Sequence, residues 1–216
     1  MRLLFLGDSY CCGEGVSLQD SWPRQLQVTL ERQGAVVIER MDLVAQTGWS
    51  ASNLARALEA RKGSLLKTYD FVFLSIGVND QVRGTEPEAV FRPQMQSLLQ
   101  SALQFADNMV ERLLVLYIPN WDVTPAAAAY VDPSNIGKIT IGIGVLNGIV
   151  QEECMQRQIV HVDITPSSEG AEFDLSLLAS DGLHPSGKMY SIWVDMLAEV
   201  LPKLQGREVA GVAVSQ

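Results

Sequence analysis

Short, branched apolar runs alternate along this chain with longer stretches of helical spacing. The runs cover residues 2–6, 35–39, 71–76, 113–118 and 159–162. Each is near-continuous, as expected of strands covered on both faces. Between the first two, Trp22, Leu26 and Leu30 follow Asp20 and Ser21, and Gly34 closes the predicted helix. Thr85 and Glu88 have capping-box spacing, with Pro87 in the permissive first turn. Val90, Phe91, Met95, Leu98, Leu99 and Ala102 then share a helical face, which Pro93 should kink or interrupt. A helix over 139–156 fits Ile139, Ile143, Leu146, Val150 and Cys154, although its glycines weaken it. The clearest periodicity comes last, in Met189, Ile192, Trp193, Met196, Leu197, Val200, Leu201 and Leu204.

Alternation of this kind implies an α/β protein, a parallel sheet sandwiched between helices. With 216 residues, no repeat and no linker, the chain reads as one domain over 1–205. The weakly patterned tail, 206–216, is a candidate for disorder. A net charge of −9 without a Lys/Arg cluster argues against a nucleic-acid partner. No apolar run approaches the roughly 18 residues a membrane span needs. The apolar start at Leu3–Leu6 is too short for a signal peptide, so a cytoplasmic location is expected. Cys11, Cys12 and Cys154 are odd in number and read as free thiols of a reducing compartment. Nothing in the pattern bears on oligomeric state.

In an open parallel sheet, ligands bind beyond the carboxyl ends of the strands. Four polar or glycine-rich clusters follow predicted strands here: Gly7-Asp8-Ser9-Tyr10, Gln46-Thr47-Gly48-Trp49-Ser50, Gly77-Val78-Asn79-Asp80 and Asp181-Gly182-Leu183-His184. A lone Gly-Asp-Ser is most often a turn. A serine beside a base is different, because its hydroxyl becomes a nucleophile once its proton is removed. His184 supplies a base, and Asp181, three residues earlier, can fix its tautomer and stabilise the imidazolium. Pro185 keeps His184 out of helical geometry, in a loop. The side-chain amide of Asn79 and the backbone N–H groups of Gly48 and Ser9 could hold the oxyanion that forms when a serine attacks an ester.

These blocks, GDSY (7–10), Gly48, GVND (77–80) and DGLHP (181–185), occur in the order of the SGNH (GDSL) hydrolases, which the chain therefore resembles. The resemblance implies a three-layer α/β/α sandwich of about five parallel strands in flavodoxin-like order. It implies Ser9 as nucleophile, His184 as base and Asp181 as its orienter, with Ser9, Gly48 and Asn79 as oxyanion hole. The implied activity is hydrolysis of a small or short-acyl carboxylic ester through an acyl-enzyme, with no cofactor. Acyl transfer, thioester hydrolysis or a non-catalytic binding role would use the same scaffold. Tyr10 replaces the family's usual leucine, and TGWS matches the second block at little beyond its glycine. Gly13 or Gly15 are the alternative backbone donors.

Other features carry less. Cys11 and Cys12 read as small buried hydrophobes rather than nucleophiles, and His161 as a structural histidine. No zinc spacing exists, and although Asp8, Asp80 and Asp181 are ligands a hard cation accepts, nothing singles out such a site. GIGVLNG, 142–148, misses the dinucleotide-loop spacing, so its glycines read as helix packing or loop flexibility. Trp49 and Trp121 follow strand ends and could line an acyl pocket.

Overall fold

The apolar runs at 2–6, 71–76 and 113–118 become the middle of a five-stranded, all-parallel sheet. The computed structural model describes residues 1–34, 37–130 and 137–205. Within them the chain runs β1 (Arg2–Gly7), α1 (Ser9–Cys12), α2 (Trp22–Gly34), β2 (Arg40–Ala45), α3 (Ala51–Arg61), β3 (Phe71–Ser75) and α4 (Val78–Val82). After a π-turn at Pro87–Phe91 come α5 (Arg92–Phe105), β4 (Leu113–Leu116), α6 (Pro125–Tyr130) and α7 (Lys138–Arg157). The last elements are β5 (Val160–Val162), α8 (Thr165–Glu169) and α9 (Gly187–Gln205).

The strand order is β2-β1-β3-β4-β5, the flavodoxin-like order, with every pair parallel. Helices cover both faces, α2 packing on α9 in one layer and α5 on α3 and α7 in the other. The core lies between them. Leu3, Leu4, Phe5 and Leu6 are fully buried, Phe5 stacks on Phe73 at 4.9 Å, and the Trp22 ring meets Phe5 edge-on at 5.1 Å. Such offset and edge contacts suit the quadrupoles of aromatic rings.

Two expectations need correction. The second strand is not the apolar run 35–39 but Arg40–Ala45. Residues 35–36 lie outside the described residues, 37–39 form no strand, and Val37 is 72% exposed. The reason is position: β2 pairs only with β1, so an edge strand with polar members serves. Its Asp42 accepts from Arg40 at 2.7 Å and from the Tyr69 hydroxyl. The Thr85/Glu88 capping box does not form either. Glu88 pairs instead with Arg92 one turn on, at 2.6 Å, and Glu86 precedes the turn without a side-chain cap. The π-turn ends where α5 begins, with Pro93 in its first turn, so the interruption expected at Pro93 is real. The helix expected over 139–156 spans Lys138–Arg157, which places GIGVLNG inside a helix and not in a loop. The tail, 206–216, lies outside the described residues.

Candidate active site

Gly7 shows why the first block reads as it does. A Cβ there would lie 2.5 Å from the Ser75 carbonyl oxygen of β3 and 2.5 Å from Cys11 Cβ, so only glycine lets α1 turn back against the sheet. Asp8 then caps α1. Its Oδ1 accepts from the Tyr10 N–H at 3.1 Å, and its carbonyl accepts from the Cys11 and Cys12 N–H groups. The Tyr10 carbonyl is held in turn by the Trp22 indole and the Tyr190 hydroxyl, at 3.2 and 3.0 Å. Ser9 is thereby fixed at the carboxyl end of β1.

β3 does the same for the third block. Gly7 and Ser75 are opposite each other in the β1–β3 register, so the segments that follow emerge side by side. This is the point where chain order reverses across the sheet, the usual place for a ligand in such folds. Gly77 adopts φ +128, and a Cβ there would strike Ile118 Cδ1 at 2.6 Å. The short α4 follows, and Asn79 donates from Nδ2 to the Trp49 carbonyl at 3.0 Å. One turn later Arg83 donates to the Gly48 carbonyl at 2.6 Å. Two side chains from this one segment thus grip successive carbonyls of the second block, and Gly48 itself needs φ +81.

The fourth block folds on itself. Asp181 Oδ1 accepts from the backbone N–H groups of Leu183 and His184, at 2.9 and 3.0 Å, around Gly182 at φ +67. Asp181 Oδ2 lies 2.6 Å from His184 Nδ1, and His184 Nε2 lies 3.0 Å from Ser9 Oγ. A carboxylate only accepts, so Nδ1 carries the proton and Nε2 faces the serine hydroxyl as acceptor. The imidazole packs on the Tyr10 ring at 5.3 Å, which steers it toward α1.

Residues 5–192 match the profile of the GDSL-like lipase/acylhydrolase family. The chain belongs to that family. It is therefore an ester-hydrolysing enzyme, and the strand order, helix layers and four blocks are those its sequence resemblance implied. No curated protein sequence matches it. Among solved structures, a lipase from a goat rumen metagenome superposes with a TM-score of 0.72 at 18% identity, covering 93% of this chain and 97% of that one. A lipolytic protein of the G-D-S-L family from Veillonella parvula gives 0.69 at 14%, covering 94% and 99%. Phospholipase A1 from Streptomyces albidoflavus gives 0.67 at 18%, covering 92% and 98%. At these identities the likeness speaks for the fold.

In this GDSL-like chain, Ser9, Gly48, Asn79 and His184 line one cleft of about 240 Å³. Thr47, Val78, Val82, Trp121 and Leu183 complete most of its wall. Gly13 and Gly15 lie elsewhere: a Cβ on Gly13 would meet Ser21, and one on Gly15 would meet Ala179 and Asp181. Of these three glycines, Gly48 is the one that lines the cleft. Burial alone would raise the Asp181 carboxyl, but His184 and the two backbone N–H groups outweigh it and hold the group below the usual carboxylate range. Asp8 goes the other way. Burial, with Asp80 nearby, pushes its carboxyl from 3.8 up to about 7.

The remaining candidates do not reach the cleft. His161 stacks on Tyr117 at 5.5 Å on β5. Burial pushes the Cys12 thiol up to about 11 and Cys11 higher than its ordinary value, the opposite of an activated nucleophile. Among the described residues no three His, Cys, Asp or Glu side chains form a metal-binding group, and no helix is long and apolar enough to cross a membrane. Sequence reasoning missed Arg83. Arg83 stands four residues after Asn79, so a helical reading of the third block would have placed both on one face.

Proposed function

We propose that the protein hydrolyses short-acyl carboxylic esters through a covalent acyl-enzyme on Ser9. The observation that carries this is the unbroken chain from Ser9 Oγ through the imidazole to Asp181, with links of 3.0 and 2.6 Å. Ser9 Oγ attacks the ester carbonyl carbon while its proton passes to His184 Nε2. The carbonyl oxygen becomes an oxyanion facing the N–H groups of Ser9 and Gly48 and the Asn79 hydrogen that Trp49 does not take. As the tetrahedral intermediate collapses, the C–O bond to the leaving alcohol breaks and His184 returns the proton to that oxygen. Water then attacks the acyl-enzyme, its proton passing through His184 back to Ser9 Oγ, and the carboxylic acid departs. Asp181 keeps the imidazole in the required tautomer and offsets its transient positive charge.

The cleft, about 240 Å³, lies below the roughly 300–1,000 Å³ that drug-sized ligands occupy, which supports a small acyl group. No charged side chain is needed in its wall for a neutral ester. The test uses p-nitrophenyl acetate and butyrate. Ser9→Ala and His184→Ala should each lose at least about 10³-fold in kcat, the scale of a triad member. A serine-reactive phosphonate should add its mass to the Ser9 peptide alone. Turnover near wild type in Ser9→Ala, or an adduct on another residue, refutes the assignment.

A further inference from the structure

Trp121 lines two cavities. One is the cleft beside Ser9; the other, of about 10 Å³, is bordered by Asn120, Thr124, Ser168 and Met189. Tyr10 and Leu183 border both, so the two spaces adjoin at these three residues. The second cavity has the volume of about one water.

Trp121 is held from α4. Trp121 Nε1 donates to Gln81 Oε1 at 2.9 Å, and Trp121 is 6% exposed. Gln81 reaches this position across α7, where residue 142 has no side chain. A Cβ on Gly142 would lie 3.3 Å from Gln81 Cγ and 3.4 Å from Gln81 Nε2. One glycine of GIGVLNG therefore makes the notch through which a neighbouring helix steadies the cleft wall. Gln81 does not line the cleft itself.

Trp121 and Asn79 line the same cleft. The acyl carbonyl oxygen faces Asn79 in the reaction proposed above, and Val78 and Val82, on either side of Asn79, line that cleft too. The leaving alcohol must instead meet His184 Nε2 to receive its proton. We infer that Trp121, locked by Gln81 in the notch at Gly142, is the stop that limits acyl-chain length, with Gln81 as its positioning residue. The inference rests on the Ser9 acyl-enzyme reading. Trp121 sets specificity by contact, whereas Gln81 acts only through the indole.

The experiment measures kcat and KM for p-nitrophenyl acetate, butyrate, hexanoate and octanoate in wild type, Trp121→Leu, Gln81→Leu and Gln81→Glu. Each methylene newly accommodated is worth about fourfold, from about 0.8 kcal/mol of apolar transfer. Trp121→Leu, which shortens a side chain common to both spaces, should raise the hexanoate-to-acetate ratio of kcat/KM at least about tenfold. Gln81→Leu removes the Oε1 acceptor that faces Trp121 Nε1 and should raise the same ratio by about threefold or more, through a lower KM for the longer ester. Gln81→Glu keeps an acceptor oxygen and should retain the wild-type profile. The inference is overturned if Trp121→Leu and Gln81→Leu keep the wild-type length profile, or if Gln81→Glu shifts it as far as Gln81→Leu does. Should Trp121→Leu fail to fold, the two Gln81 variants decide alone. Failure of the underlying reading looks different, since Ser9→Ala would then retain turnover of every ester in the series.

Discussion

Asp8→Asn should make the protein more stable at alkaline pH and leave it nearly unchanged at acid pH. Asp8 is 2% exposed, and burial lifts its carboxyl from 3.8 to about 7, with the nearby Asp80 adding repulsion. The sign follows from proton counting. Below 3.8 the group is protonated in both folded and unfolded chains and nothing is lost. Between 3.8 and about 7 the unfolded chain has released the proton while the folded one still holds it, so stability declines as pH rises. Above about 7 both forms are ionised and the full cost of the buried charge remains. At 1.36 kcal/mol per pKa unit this amounts to about 4 kcal/mol, out of a total stability of about 5–15 kcal/mol.

An asparagine keeps an Oδ1 that can accept from the Tyr10 N–H, now 3.1 Å from the Asp8 carboxylate, and carries no charge at any pH. Urea unfolding of both proteins at pH 5 and pH 8.5 isolates the effect. The variant's advantage should grow by about 2–4 kcal/mol between the two, most of it before pH 7.5. Urea m-values should match, because the same surface unfolds. A gap independent of pH, or one that widens toward acid, would refute the assignment of a raised carboxyl to Asp8.

Other predictions separate parts of the site from parts of the scaffold. Asn79→Ala should cost about 10²–10³ in kcat, as for one lost oxyanion donor, and a loss confined to KM would count against that role. Arg83→Met should lower kcat several-fold by freeing the Gly48 carbonyl, while moving stability by less than about 1 kcal/mol because the guanidinium is exposed. Equal losses in stability and activity would make Arg83 a scaffold residue only. Arg92→Met removes a partner from Glu153, which is 1% exposed and also bound to Gln96 and Arg157, so it should destabilise by about 1–3 kcal/mol at neutral pH. Burial favours protonation of Glu153, but these partners hold its carboxyl below the usual range. The stabilisation is therefore present above the unfolded pKa and shrinks as pH falls, which urea unfolding at pH 7.5 and pH 4 would reveal.

What could be read from the chain divides by how a residue is held. β1, β3 and β4 announce themselves because strands covered on both faces must be apolar at every position, and Leu3 to Leu6 are all fully buried. β2 escapes the same rule, since an edge strand can carry Arg40 and Asp42 so long as their charges find partners. The adjacent run 35–39 has the stronger apolar signal and drew the assignment. Ser9, Asn79 and His184 were legible because each sits in a block whose glycines or proline dictate a turn at a strand end. Arg83 and Gln81 were not. Each reaches a residue some 35 to 40 positions away, Gln81 from within a helix of 5 residues and Arg83 from its C-cap, a segment too short to show a face by periodicity. Asp8 was legible as part of the first block and as an acid a hard cation would accept, but not as a raised carboxyl, because that depends on burial that only the packed sheet provides.

The site is assembled from two supports of different kinds, and this bears on which perturbations reach the chemistry. Ser9 and Asn79 sit on the short helices α1 and α4, which follow neighbouring strands whose register pairs Gly7 with Ser75, so the sheet sets where both begin. His184 rides on a loop. Its position depends on the Asp181 turn, on the bridge from Leu178 to Pro185, and on α9 behind it. Among the bonds that tie the loop side to the rest of the site are the Tyr190 hydroxyl on the Tyr10 carbonyl and Gln25 on the Gly187 carbonyl. Proton transfer needs hydrogen-bond reach, and displacement by about 1 Å can cost about 10²-fold in rate. The contact between Ser9 and His184 is therefore the place where loosening of α9 is felt first. The spacing of Ser9 from Asn79 should survive any change that leaves β1 and β3 paired.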